Sequence, residues 1–426
     1  MERAMMIRML AVASALLLVS AGCAETKGLA GEAPRIAPER IDKIRKALAG
    51  KDWYMVRRAL LEAAQVGQPD PQLVKAVLSS EVARSMPLDS VTLRVLGEAG
   101  GEAAEEVIRI YGGDLDKNAD LLPLLGRMGK NAIGAVPSLR KRLAAPGVKP
   151  EEQTTIKVVL ACMGQATTAE MGEIADALNK KGSRSAVIKS MFYIGRNEWV
   201  NDAIKDSLIG AVGRNEDKQG QVFAIFALVT LGGKTDRAVV NGLARVYLDI
   251  EKRDAGVLGP DTSYDEGLDP QGDLLMIWSG LALAAVDPQH RPVAMRAAFL
   301  ANYHVNLGEW LTREMFNFPD LFCSAACNAA LVKEAVSLVS DKDPRVARSA
   351  ARFLQVVGPP ATAATPHLVR LVESAGDEDL RKAAADALAM VADPSDLPKL
   401  RELAKKCDDE TKEVLEASIR VINLGE

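Results

Sequence analysis

The chain of 426 residues holds only three histidines, five cysteines and 4% aromatic residues. So few histidines leave little material for a His-based metal centre or a catalytic triad. With aromatics scarce and no runs of Val, Ile, Thr and Tyr at strand spacing, a sandwich or barrel is excluded. Positive charge is not in excess either: 53 Lys and Arg stand against 57 Asp and Glu, a formal charge of −4. A general nucleic-acid binder needs a net basic face to displace counterions, so nucleic acid is not an expected partner. There is no Gly-x-Ser-x-Gly elbow, no Walker loop and no His-Glu-x-x-His helix. Catalytic residues, a metal and a cofactor are therefore not assigned, and an enzyme is not expected. What remains is 48% hydrophobic and 26% charged, enough to bury a core and too apolar for wholesale disorder.

The first segment reads as an address. A short basic lead to Arg8 precedes an apolar stretch from Met9 to Val19 and then Ser20-Ala21-Gly22-Cys23. That is the plan of a secretory signal peptide, and its apolar run is shorter than the roughly 20 residues needed to span a bilayer. The Ser-Ala-Gly-Cys ending resembles the lipobox of bacterial lipoproteins, although Ser20 stands where Leu is commonest. The resemblance implies cleavage after residue 22, acylation of Cys23 and a membrane anchor of several acyl chains. Ala24 is not Asp, so nothing resembles the inner-membrane retention signal; in a diderm host the expected location is the periplasmic face of the outer membrane. Residues 23–38, rich in Gly, Ala and Pro without a helical stripe, read as a lipidated flexible tether.

From residue 39 to 426 the chain repeats itself. Leu93-Arg-Val-Leu96-Gly97 returns as Leu125…Gly129, Leu160…Gly164, Met191…Gly195, Leu228…Gly232 and Leu354…Gly358, and Leu388-Ala-Met-Val391-Ala392 lacks the glycine. The first five glycines are 32, 35, 31 and 37 residues apart. Apolar residues three apart share a helix face, and a glycine directly after them suits the left-handed residue that ends a helix. Beyond Gly129 and Gly358, alanines at +3 and +6, proline at +8 and leucine at +10 recur. Proline there opens a second helix. Residues 343–354 align with 377–388, 34 positions on. A single pair cannot bury its apolar face alone, so the pairs must stack.

Asp-Pro-x-Val followed by Arg, Ala-Ala and Leu-x-x-Val-Gly, with Ala-x-Pro-x-Leu opening the next helix, resembles HEAT repeats. The nearest kind is the short HEAT-like repeat of phycobilisome-lyase-type proteins. The resemblance covers 85–250 and 340–424, and more loosely 39–84 and 274–339. It implies an all-α solenoid of about ten stacked helix pairs in one elongated domain, each pair touching only its neighbours. It also implies a scaffold or adaptor that binds another protein in the cell envelope. Two alternatives stay open: an enzyme accessory or lyase-like protein, and a small-ligand or metal receptor centred on residues 251–322. Bilin attachment is cytoplasmic, which weighs against the first for an exported chain.

Regularity breaks at an acidic, Gly- and Pro-rich insert, residues 251–273, of the kind that emerges on a binding face. Residues 264–322 hold eight of the 18 aromatics, with His290 and His304. Aromatic anchors dominate interface energetics, so Tyr264, Trp278, Tyr303, His304 and Trp310 are the candidate partner-binding residues; the competing reading is that these rings fill irregular gaps between helices. The insert's carboxylates miss the EF-hand spacing, with Glu266 and Gly272 where Gly and Glu belong. Cys162 reads as a small core residue and Cys407 as a free thiol. Cys323 and Cys327 share a helix face and read as buried small side chains in an Ala-rich helix, although export would permit their oxidation.

Overall fold

The computed structural model describes residues 37–66, 69–81, 90–111, 121–180, 199–212, 279–285, 287–304 and 325–424, with scattered positions between 183 and 277. The protein is an α-solenoid of stacked antiparallel helix pairs, with no strand among the described residues. Among the described residues its bounded α-helices begin with α1 (Pro38–Leu48), α2 (Trp53–Ala63), α3 (Pro71–Ser79), α4 (Ser90–Gly97), α5 (Gly101–Tyr111) and α6 (Leu121–Met128). There follow α7 (Val136–Leu143), α8 (Pro150–Cys162), α9 (Thr168–Asn179), α10 (Asp202–Val212), α11 (Arg291–His304) and α12 (Ala325–Leu338). The last five are α13 (Pro344–Val357), α14 (Thr365–Ser374), α15 (Glu378–Val391), α16 (Leu397–Ala404) and α17 (Asp409–Asn423).

Helix starts follow from short acids and hydroxyls placed just ahead of apolar stripes. Asp52, Asp70, Asp343, Asp377 and Asp408 each accept a backbone N–H of the helix they precede. Thr167 and Glu170 close a reciprocal capping box at α9. Such caps satisfy donors that have no partner inside the helix.

The recurrent turn is built as its spacing predicts. Gly129–Ala135 and Pro359–Ala364 are both 3-10 turns, kinked at Ala132 (φ −95°, ψ 19°) and Ala361 (φ −94°, ψ 17°). The alanines at +3 and +6 and the leucines at +10, Leu139 and Leu368, are all buried. Methyl groups are the largest side chains that let the turn lie flat on the helices beneath.

The glycines divide in their reasons. Gly129, Gly164 and Gly358 have positive φ, as a helix-ending glycine should. Gly97 does not: it ends α4 in ordinary helical conformation. A Cβ there would lie 2.6 Å from Cγ of Arg127, so this glycine serves the close passage of a buried arginine stem. Gly195 and Gly232 lie outside the described residues.

Stacking is carried by small and branched apolar residues. In α13 and α15 the buried faces include Val346, Ala350, Ala351 and Leu354, and then Leu380, Ala384, Ala385 and Leu388. Ser418 takes the equivalent place in α17, its hydroxyl donating to the Ala385 carbonyl at 3.0 Å or to that of Val414 at 2.9 Å. Each large side chain removed from water contributes about 1.5–3 kcal/mol. Ion pairs cross the repeats at the rim, Arg296–Asp341 at 2.9 Å, Arg348–Asp379 at 2.8 Å and Lys382–Glu410 at 2.5 Å. Such half-exposed pairs set register more than stability. Arg140 and Arg142, in the last turn of α7, are likewise paired, with Glu170 and Glu152.

One expectation fails. The second helices form two rows, α2–α4–α6–α8 and α11–α13–α15–α17, in which each helix packs on the next. Then α17 packs against α2. The first pair is therefore in contact with the last, and the array does not run as an open chain of neighbour contacts alone.

Candidate functional site

The meeting of α2 with the C-terminal repeats places chemistry-bearing side chains together. From Val56 to Ala63, α2 is buried on every side. Its first turn is not: Trp53 is 40% exposed and Tyr54 50% exposed. Both residues follow the cap Asp52 and precede the apolar stripe, so no core position claims them. Their rings meet edge to face with centroids 5.1 Å apart. The guanidinium of Arg57, one turn on, lies 5.5 Å from the Trp53 ring centroid, a cation–π contact dictated by i, i+4 spacing.

Asp386 of α15 lies near enough to Tyr54 for its charge to act on the hydroxyl. Its side chain reaches solvent, yet surrounding protein desolvates it and pushes its acid above the usual carboxylate range, with Arg352 pulling the other way. The Tyr54 hydroxyl is pushed up as well, first by burial and then by the carboxylates of Asp386 and Asp52. Two amphipathic rings with a carboxylate and a guanidinium alongside can grip a protein surface. They offer no paired nucleophile and base.

Beneath the aromatics lies a buried ionic network. Arg58 donates to Glu62 at 2.5 Å, to the carbonyls of Met390 and Ala392 (3.0 Å for the latter), and weakly to that of Ala389 at 3.4 Å. Arg40 grips the same glutamate through two bonds, 2.7 and 2.6 Å, and donates to the Ile422 carbonyl at 2.8 Å. Burial raises the Glu62 acid, and the two arginines outweigh it and hold it below its ordinary value. Burial depresses Arg58, which Glu62 opposes. The accepting carbonyls sit at the C-terminal ends of α15 and α17, where the last turns leave acceptors without helical partners and the dipole is negative. At α15 this is the motif copy with Ala392 in place of glycine.

The residues predicted from sequence fall elsewhere. Cys23, Tyr264, Trp278, Trp310 and the 251–273 insert lie outside the described residues. Tyr303 and His304 are the last two residues of α11, of which only the backbone is described. Phe299, another ring of that aromatic-rich stretch, is a core residue, 1% exposed, with its centroid 5.5 Å from that of Phe353. At that position gap-filling is correct. His290, at the start of α11, hydrogen-bonds Asp287 at 2.6 Å. Cys162 and Cys407 are half-buried thiols, and burial pushes the Cys407 thiol up. Among the described residues no group of three or more His, Cys, Asp or Glu is placed to hold a metal ion, and no helix is long and apolar enough to cross a membrane. Sequence reasoning passed over Trp53, Tyr54 and Arg58. The available signal was an aromatic pair just inside a capped helix, ahead of its buried stripe.

The fold defines a helical-repeat protein. Residues 326–420 match the family model for HEAT repeats, so this stretch carries such repeats. Among solved structures, a crystal structure of an engineered protein is similar at 17% identity and a TM-score of 0.25, covering 91% of this chain and 99% of that one. The crystal structure of Kap121p is similar at 13% identity and a TM-score of 0.35; 91% of this chain covers 49% of Kap121p. No curated protein matches.

Proposed function

We propose that the chain is a non-enzymatic HEAT-repeat scaffold or adaptor, anchored by lipid on Cys23 in a bacterial cell envelope, that binds another protein. The observation that carries the docking role is the exposed Trp53–Tyr54 pair beside Asp386. Large exposed rings on a rigid, pre-packed helix cost little ordering entropy on binding. The HEAT match over residues 326–420 supports a scaffold, since such arrays expose extended faces and rarely enclose a reaction chamber. The anchor reading rests on the Met9–Val19 apolar run and the Ser20-Ala21-Gly22-Cys23 ending; acylation at Cys23 holds the docking face near the membrane, in a diderm host on the periplasmic side of the outer membrane.

Crosslinking in native membranes followed by mass spectrometry tests the adaptor. One protein partner recovered in fixed ratio with the native chain, and lost from Tyr54→Ala, supports it. A bound pigment or metal, or turnover of a small molecule, overturns it. Cys23→Ser tests the anchor separately: the chain must leave the membrane fraction.

A further inference from the structure

We infer that the hairpin of residues 38–63 is a clasp: it closes the array on itself by supplying an arginine where other repeats supply a glycine, and it is the point at which the array opens.

Two observations converge. The first concerns helix ends. Gly164 ends α8 with positive φ, and the turning backbone meets the last carbonyls, Gln165 N–H donating to Leu160 at 2.8 Å and Gly164 N–H to Ala161 at 2.9 Å. The α15 helix ends on Ala392, in extended conformation (φ −65°, ψ 144°), and that solution is not open to it. Its carbonyls at Met390 and Ala392 are met by Arg58 from more than 330 positions away. Arg58 is 2% exposed, so those bonds form out of water. Arg40 makes the same kind of contact at the α17 end, and Glu62 holds both arginines in place.

The second concerns connectivity. Where α13 follows α12, or α15 follows α14, a short loop ties one element to the next and keeps them together. Between α2 and the pairs α13 to α17 there is no such tie. That junction is held by packing and by buried charge, and buried ion pairs return little beyond the desolvation they cost. The turn at Gly358 shows how tightly the clasp sits: a Cβ there would lie 3.0 Å from Cδ1 of Leu61. When the clasp lifts, the α15 and α17 ends lose their donors together. Opening is therefore a concerted event that exposes both ends at once.

Small-angle scattering and amide hydrogen exchange on the full chain test this. In Arg58→Ala the radius of gyration rises, and exchange quickens at least tenfold across residues 53–63, 388–392 and 418–423, while 136–163 keeps its protection. In Arg58→Ala/Ala392→Gly the restored glycine caps α15 locally. Protection then returns at 388–392 and the radius stays enlarged. An unchanged radius and exchange pattern in Arg58→Ala overturns the clasp. So does recovery of both readouts on adding the glycine, which would reduce Arg58 to a local cap. If Arg58→Ala does not fold by circular dichroism, Arg40→Ala takes its place: exchange quickened together across residues 53–63, 388–392 and 418–423 supports the clasp, and quickening that spares 388–392, or none, overturns it.

Discussion

Replacing Gly358 by alanine separates two demands that coincide at one atom. The residue has φ 72° and ψ −140°, next to a region that only glycine enters freely. An L side chain there costs about 1–3 kcal/mol in backbone strain. The new Cβ would also stand 3.0 Å from Leu61 Cδ1, and Leu61 is 5% exposed with little room to retreat. Overpacking of that kind adds about 1 kcal/mol or more. Gly164 is the natural control, with φ 71° and nothing within 4 Å of its would-be Cβ. There the strain stands alone, about 1–2 kcal/mol. At tenfold per about 1.4 kcal/mol, Gly358→Ala speeds amide exchange over the last turn of α13 by roughly 30- to 1,000-fold. Gly164→Ala speeds it at the end of α8 by only about 5- to 30-fold. A double-mutant cycle with Leu61→Ala then recovers the packing part and leaves the strain. Equal effects at the two glycines, or a cycle without coupling, would show that the first hairpin does not press on this turn.

Three further outcomes are expected. Tyr54→Ala leaves the melting temperature within a degree or two, since an exposed residue changes stability by about 0.5 kcal/mol or less; partner affinity measured by calorimetry falls by at least roughly 2 kcal/mol if the ring is an anchor. Because the folded acid of Glu62 is held below its ordinary value, its stabilisation is complete above the usual glutamate range and is lost as pH falls through the lower folded value. A wild-type stability profile from pH 7 to 3 therefore drops more steeply than that of Glu62→Gln, and parallel profiles would remove the glutamate from the network. Thr167→Ala breaks the α9 capping box and costs about 1 kcal/mol by denaturant titration, whereas an unchanged midpoint would mean that the Arg140–Glu170 pair holds the helix start without it.

Local order was legible because it depends on neighbours in sequence. Capping aspartates, apolar residues three and four apart, and alanines at fixed distances beyond Gly129 and Gly358 act within one or two turns. The stacked helix pairs follow from them. The candidate site was poorly legible. Attention fell on residues 251–322, where aromatics are dense, but Phe299 in that stretch is a core residue. Density of rings does not say which of them an adjacent helix covers.

Trp53, Tyr54 and Arg58 illustrate the division. Their helix, its Asp52 cap and the Trp53–Arg57 spacing are consequences of sequence alone. That Arg58 is 2% exposed and bonded to residues 390 and 392 is not. A helical wheel assigns a lone arginine to solvent, because burying an unpaired charge is prohibitive. The sequence held half of the answer in Ala392, where a copy of the repeated string lacks its glycine. Only the packing of α2 against the C-terminal helices decided which distant cation would meet those carbonyls.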